Sequence, residues 1–517
     1  MKDHAGQSIS VWMATATLPS FSKLLMNEQA DVCVVGAGIA GLTTAYLLGR
    51  AGKSVIVLDD GPIVSGETER TTAHLVTALD DRYVDLERLH GEKGARLAAE
   101  SHSAAISQIE QIVREEQIDC DFERLDGYLF MPPGESTDLL DREMAAGQRA
   151  GLTDLHMVAR APVASFDTGR TLCFPRQAQF HPLKYLTAVA QAIVRNGGRI
   201  YTETHATKIE GGKSACIDTR NGQTVTAGAV VVATNTPVND LLAIHTKQAA
   251  YRTFVIGATV PAGSVSKGLY WDTPNPYHYV RLSRSASVAS DVLIVGGEDH
   301  KTGQADDAEA RYVNLEKWAR ARFPMMTEIV FRWSGQVMQP VDGLAFIGRN
   351  PMDKANVYIA TGDSGNGMTH GTIAGILLTD LIHGREDAWS TLYEPSRKTL
   401  GALNTFAKET LNMAAQYADW VTSGDVKEDV LVPPGSGAVV RHGLQKIAVY
   451  CDEAGQLHER SAVCPHLGGI VAWNHSEKTW DCPCHGSRFD KSGKVINGPA
   501  ITDLPSAEAL SSGVLNQ

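Results

Sequence analysis

No run of about 18 apolar residues occurs in the chain, so no segment reads as a membrane-spanning helix. Basic residues are in deficit, 47 against 59 acidic, which leaves a net charge of −12. Proteins that track a phosphate backbone carry the opposite field, and general nucleic-acid binding is thereby disfavoured. The first 30 residues lack the continuous apolar core and small-residue cleavage site of a secretory signal, because Lys2, Asp3, Pro19 and Glu28 interrupt them. A cytoplasmic protein is the expectation. Cysteine is sparse before residue 451, where Cys33, Cys120, Cys173 and Cys216 are scattered, a placement that excludes a disulfide framework. Internal repeats and low-complexity tracts are also missing.

What is present fits a large enzyme. At roughly 150 residues per domain, 517 residues allow about three domains. Glycine is abundant, 48 residues in a chain of ordinary apolar content, which points to tight turns and close backbone–ligand approaches. Residues 31–59 read as a buried strand, a glycine turn, a helix and a second strand, one βαβ unit. Further buried-strand runs at 229–233, 292–295 and 357–360, with a helix over 183–194, predict an α/β fold with a mostly parallel sheet covered by helices. From Lys398 to Trp420 the pattern is helical, with Leu400, Leu403, Phe406, Leu411 and Ala414 on one side. After the Pro433-Pro434-Gly435 loop, short β-type runs and glycine turns predict a small all-β domain from about residue 428.

Gly36-x-Gly38-x-x-Gly41 sits between a strand and a helix, and Asp59 ends the next strand, as a dinucleotide fingerprint requires. Gly36 permits the tight turn, Gly38 admits a pyrophosphate, Gly41 lets helix and strand close, and Asp59 can accept from a ribose. The fingerprint alone does not separate FAD from NAD. A second strand–turn–helix, Gly362-Asp-Ser-Gly365-Asn-Gly367-Met368, supplies a helix N-terminus suited to the negative charge that develops on a reduced flavin. No second complete fingerprint for NAD(P)H is present, since Gly296-Gly297 lacks the spacing.

These segments, with Arg332-Trp-Ser and Asp342-Gly-Leu-Ala-Phe-Ile-Gly348, resemble the FAD-dependent amine and amino-acid oxidoreductases, relatives of D-amino-acid oxidase and sarcosine oxidase. The resemblance spans residues 28–395. It implies FAD between a Rossmann-like domain (28–100, 181–250 and 335–397) and an α+β substrate domain (101–180 and 251–334) whose sheet roofs the substrate. Residues 1–27 would be an N-terminal extension and 398–427 a helical linker. In the family a loop crosses the flavin after the second strand, which makes Arg70, Thr71 and His74 candidates for the cofactor or substrate face. The roof strands carry aromatics, and an arginine can hold a carboxylate bidentately. Alternation puts Tyr277, Tyr279 and Arg281 on one face and His278 on the other, with His300 on a following strand.

Cys464-Pro-His466 and, fifteen residues later, Cys482-Pro-Cys484-His485 interleave thiols with imidazoles. Two chemistries use such a set: a [2Fe-2S] cluster with two thiolates on one iron and two imidazoles on the other, or one tetrahedral zinc. The flanking His466-Leu-Gly-Gly469, Cys482-Pro-Cys-His-Gly-Ser487 and Gly498-Pro-Ala500 resemble the three loops of Rieske proteins over residues 428–517. That resemblance assigns Cys464 and Cys482 to one iron and His466 and His485 to the other. Two positions depart from the respiratory pattern. Gly469 replaces a loop-bridging cysteine, leaving Cys484 without that partner, and Phe489 replaces a tyrosine donor, while Ser487 remains to donate to a bridging sulfide. With one donor fewer, the expected potential lies below the respiratory type.

Together these readings describe a two-cofactor oxidoreductase. A small amine or amino acid would be oxidised at a C–N bond, with electrons leaving through the Rieske cluster to an external carrier. The alternative is an NAD(P)H-dependent reductase that feeds a partner oxygenase. A third class, a redox sensor that keeps both cofactors without turnover, stays open.

Overall fold

The computed structural model describes residues 5–136, 138–239, 244–285, 287–421, 424–425, 432–443 and 445–507. Its first sheet runs in the order Phe346–Arg349, Val357–Thr361, Thr224–Val232, Glu28–Val35, Val55–Leu58, Arg199–Tyr201. From Val357–Thr361 to Arg199–Tyr201 every neighbouring pair is parallel. The strands are apolar on both faces because both are covered. Val32, Val34, Val55 and Val57 meet the helices Ile39–Arg50, Pro182–Arg195 and Gly367–Ile382, while Cys33, Val35, Ile56 and Leu58 meet Ala215 and Ile217 of a β-hairpin.

The second sheet has nine strands, ordered Ile329–Pro340, Gln248–Pro261, Ser290–Lys301, His278–Arg284, Leu269–Trp271, Glu123–Phe130, Thr171–Gln179, His74–Leu75, with His156–Val158 paired to Thr171–Gln179. It is antiparallel except where Leu269–Trp271 meets Glu123–Phe130. The apolar run 292–295 belongs here and not to the parallel sheet that the sequence suggested. Its signature is the same because this strand too is buried on both faces, with Leu293 and Val295 under Tyr312 and Leu315 of the helix Ala308–Arg322.

Residues 436–497 form two small antiparallel sheets. Residues 5–27 pack into the body: Trp12 is fully buried and its indole donates to the Thr71 carbonyl at 2.6 Å. The linker helix, Leu403–Gln416, has its amphipathicity reversed. Its polar side faces inward, Glu409 to Lys301 at 2.5 Å and Asn412 to Gln304 at 2.8 Å, while Leu400, Leu403 and Leu411 are exposed. Among the described residues no helix is long and apolar enough to cross a membrane.

Candidate active site and cluster site

The turn after the first strand shows why the fingerprint glycines are needed. A Cβ on Gly41 would sit 1.8 Å from the Gly36 carbonyl oxygen, so any other residue would force the helix Ile39–Arg50 off the strand. Asp59 accepts the Ala37 amide at 2.7 Å and the Gly61 amide at 2.8 Å while lining the same space, so its carboxylate braces the turn. The second glycine turn opens the helix Gly367–Ile382, which no side chain caps, and Gly365 lets Asp80 approach: a Cβ there would meet Asp80 Oδ2 at 1.8 Å.

Both turns face one cavity of about 680 Å³ lying between the two sheets. Gly36, Gly38, Asp59, Thr71, Gly362, Gly365, Gly367 and Met368 line it, whereas Gly41 lies behind the turn in the helix–strand contact. The uncapped helix N-terminus, the close-packed glycine turn and the elongated lining between them fit a flavin dinucleotide.

The substrate-side candidates divide. Tyr277, Tyr279 and His74 line the cavity; His74 is buried, its pKa pushed down to about 3 by that burial and then by Arg281, so its imidazole is neutral. Tyr277 donates to Asp80 at 2.8 Å and Tyr279 meets the Thr253 hydroxyl at 2.9 Å. His278 faces away, stacked on Trp318 at 4.3 Å and bonded to Asp272.

Arg281 does not line the cavity. It shares the face of Tyr277 and Tyr279 but lies beyond the cavity's end, donating to the carbonyls of Thr72, Ala73 and Phe180 and lying over Trp12. His300 is out of the cavity as well, because strand alternation turns its neighbour Asp299 inward and His300 towards Phe254. Arg70 touches the cavity wall, yet its terminal nitrogens are engaged by Ser8, Gly6, the Ser334 carbonyl and Glu477.

In the C-terminal domain the sulfurs of Cys464 and Cys482 adjoin, and the rings of His466 and His485 stand 5.0 Å apart at 89°. The set thus divides into a thiol pair and an imidazole pair, the two halves that a cluster with two thiolates on one iron and two imidazoles on the other would need. Both ring nitrogens of His485 are buried without a hydrogen-bond partner, as the donors of an inserted group would be. The Ser487 hydroxyl accepts the Ala500 amide at 3.0 Å and lies beside the Cys464 sulfur. Cys484 is a free thiol, and a Cβ on Gly469 would lie 2.6 Å from its sulfur. Tyr417 and Trp420, from the linker, donate to the Leu467 and Gly468 carbonyls of the first loop, at 2.8 and 2.9 Å.

The two sites abut. Gln336, which lines the cavity, donates to the Gly486 carbonyl at 3.0 Å, one residue from His485. Val495, Asn497, Gly498 and Ile501 of the C-terminal domain complete the cavity wall, with Asn497 donating to Glu67 at 2.9 Å. Three arginines and three carboxylates lock this junction: Arg70 to Glu477 at 3.3 Å, Arg252 to Glu477 at 4.0 Å and to Asp481 at 3.6 Å, Arg488 to Asp481 at 3.2 Å and to Glu67 at 3.3 Å. Glu67 and Asp299 lie in segments that sequence reasoning read for the flavin face without singling them out, and Asp80, Arg252, Gln336 and Glu477 were missed. The ion-pair partners of Arg252 and Glu477, and the Gly486 carbonyl that Gln336 meets, lie more than a hundred residues away.

A family model described as FAD dependent oxidoreductase matches residues 31–381, and one described as Rieske [2Fe-2S] domain matches residues 420–508. Over 498 residues the chain is 32% identical to a Bacillus subtilis protein named putative Rieske 2Fe-2S iron-sulfur protein YhfW, across 95% of this chain and 96% of that one. It is 28% identical to the Escherichia coli gamma-glutamylputrescine oxidoreductase over 389 residues, 72% of this chain and 88% of the relative. Glycine oxidase from Geobacillus kaustophilus has the same fold, with a TM-score of 0.58 at 19% identity over 72% of this chain and 100% of that one.

Proposed function

Because this chain belongs to the FAD-dependent oxidoreductases and carries a Rieske [2Fe-2S] domain towards its C-terminal end, we propose that it oxidises a small amine or amino acid at a C–N bond and passes the electrons through the cluster to a separate carrier. FAD supplies a two-electron acceptor for the hydride on the carbon beside nitrogen, and the cluster supplies a one-electron outlet. The substrate nitrogen loses a proton as the C=N bond forms, and water then hydrolyses the imine to a carbonyl compound and ammonia, or an amine where the nitrogen carries a second carbon.

The chain's own residues orient and enclose. Tyr277 and Tyr279 would lie over the substrate, Asp80 and Asp299 beside its nitrogen, and neutral His74 at the rim. Cys464 and Cys482 would hold one iron, His466 and His485 the other. The observation that supports the reading is the contact of Gln336 with Gly486: a single residue separates the cavity from the histidine loop. A cytoplasmic setting agrees with eight free cysteines.

Anaerobic mixing tests it. An amine or amino-acid donor should bleach the flavin and then bring up the electron-spin signal of the reduced cluster in the same protein. Bleaching by NADH or NADPH instead would make this a reductase for a partner.

A further inference from the structure

We propose that the donor is a cationic amine without a carboxylate beside its nitrogen, held as an ammonium between the aromatic roof and the carboxylates of Asp299 and Asp80; this rests on the C–N oxidation reading above. The argument starts from the cavity's charge. Seven carboxylates line it, and among the described residues its only lysine or arginine is Arg70. Arg70 is already saturated at both terminal nitrogens, by Glu477, Ser8 and backbone carbonyls. Arg281, the arginine on the roof strand, does not line the cavity and is spent on the backbone carbonyls of Thr72, Ala73, Phe180 and Leu282. His74 is neutral, His370 bonds the Asp363 carbonyl with its pKa pushed down to about 4 by burial, and His205 is engaged at both ring nitrogens, by Asp60 at 3.2 Å and the Ile501 carbonyl at 2.9 Å. A substrate carboxylate would therefore meet no cation and several anions.

A cation would meet the reverse. Asp299 Oδ1 is sealed from solvent and has no hydrogen-bond partner, while the Thr253 hydroxyl that leans towards the carboxyl is shared with Tyr279, so one buried oxygen costs stability unless something occupies it. Arg311, whose charge reaches Asp299, is paired with Asp307 at 2.7 Å and donates to the backbone carbonyls of Glu298 and Asp299. Asp80 faces the same space beside Tyr277, whose phenol donates to its carboxylate at 2.8 Å. Trp271, Tyr277 and Tyr279 supply ring faces of the kind that attract ammonium groups. The partial loss of water inside the cavity raises the pKa of Asp80, and Asp81, Asp299 and Asp363 add to the rise against the Tyr277 hydroxyl. A bound cation relieves that repulsion, and a bound anion deepens it.

The test uses the flavin-loaded protein and two redox-inert ions in titration calorimetry: tert-butylammonium, which can donate N–H to Asp299 but has no hydrogen on the carbon beside nitrogen, and butyrate. The ammonium should bind about tenfold more tightly or better, and Asp299→Asn should weaken it by about tenfold. Equal or tighter binding of butyrate overturns the inference, as does an ammonium affinity unchanged in both Asp299→Asn and Asp80→Asn. The ion comparison on the unaltered protein needs no variant to fold. A second arm pairs propylamine with 2-aminobutyrate, which differ by the carboxylate alone, in anaerobic flavin bleaching. Faster bleaching by propylamine supports the inference. Bleaching by 2-aminobutyrate alone overturns it and leaves C–N oxidation standing, whereas bleaching by NADH with neither donor active removes both.

Discussion

Arg70 Nη1 and Glu477 Oε2 lie 3.3 Å apart with neither side chain exposed, joining the loop after the first βαβ unit to the C-terminal domain across 407 residues of sequence. A buried pair of this kind is costly to form and costlier to break. Glu477 also sits near Arg252 and takes the Ser334 hydroxyl, so it answers two arginines at once. The C-terminal domain is thereby fixed against its own chain's cavity.

Glu477→Gln should destabilise the protein by about 3–5 kcal/mol, because it leaves Arg70 and Arg252 buried without their shared counter-charge. Thermal or urea unfolding checks the size. Limited proteolysis checks the site, since the C-terminal domain should be released as a fragment faster if it has come loose.

The same carboxylate sets an acid limit. Burial alone would raise its pKa, but Arg70, Arg252 and Arg488, with the Ser334 hydroxyl, prevail and hold it at about 2, below its ordinary value of 4.5. A depressed folded value contributes stability that is fully present above pH 4.5 and is lost as pH falls towards 2. Urea midpoints measured at pH 6, 4 and about 3 should fall over the lower interval, and the fall should be shallower in Glu477→Gln. Asp342, which Arg397 and Thr399 hold at about 2 against its burial, contributes in the same direction in both proteins and sets the residual slope.

Gln336 separates the chemical step from the electron outlet. Gln336→Leu removes the hydrogen bond to Gly486 while preserving bulk, so flavin bleaching by donor should be little changed and cluster reduction should slow several-fold. Stopped-flow absorbance resolves the two phases. Equal slowing of both would place Gln336 in substrate or flavin positioning instead.

How much of this was legible from residues alone depends on the span of each interaction. The fingerprint at 36–41, the second glycine turn and the cluster motif are local, and each appears where its spacing required. The roof strand's alternation was legible too: Tyr277 and Tyr279 face the cavity and His278 does not. Where the strand leaves the cavity was not, and Arg281 fell on the wrong side of that limit. The linker helix was found from its period, but its apolar stripe faces solvent because Lys301 and Gln304, a hundred residues upstream, draw the polar side inward. A period names a face and leaves open what the face meets.

Arg281 gives that distinction a measurable form. If it held a substrate carboxylate, Arg281→Met would raise KM and spare stability. Its guanidinium instead ties the carbonyls of Thr72, Ala73 and Phe180, so the variant should lose about 2–4 kcal/mol of stability as those buried acceptors lose their partners. Donor affinity in the protein that still folds should change little.

Gly469→Cys tests the cluster loops. In the present chain Cys484 is free, and a Cβ at position 469 already points at its sulfur from 2.6 Å, closer than a disulfide needs, so a small rotation of Cys484 makes room. The added thiol should oxidise with Cys484, and mass spectrometry under non-reducing conditions should find the peptides of the two loops joined. The bridge would tie the two ligand loops together, so the cluster should survive denaturant to a higher concentration than in the parent. A free thiol at both positions after oxidation would mean that the loops sit further apart than the glycine's geometry indicates.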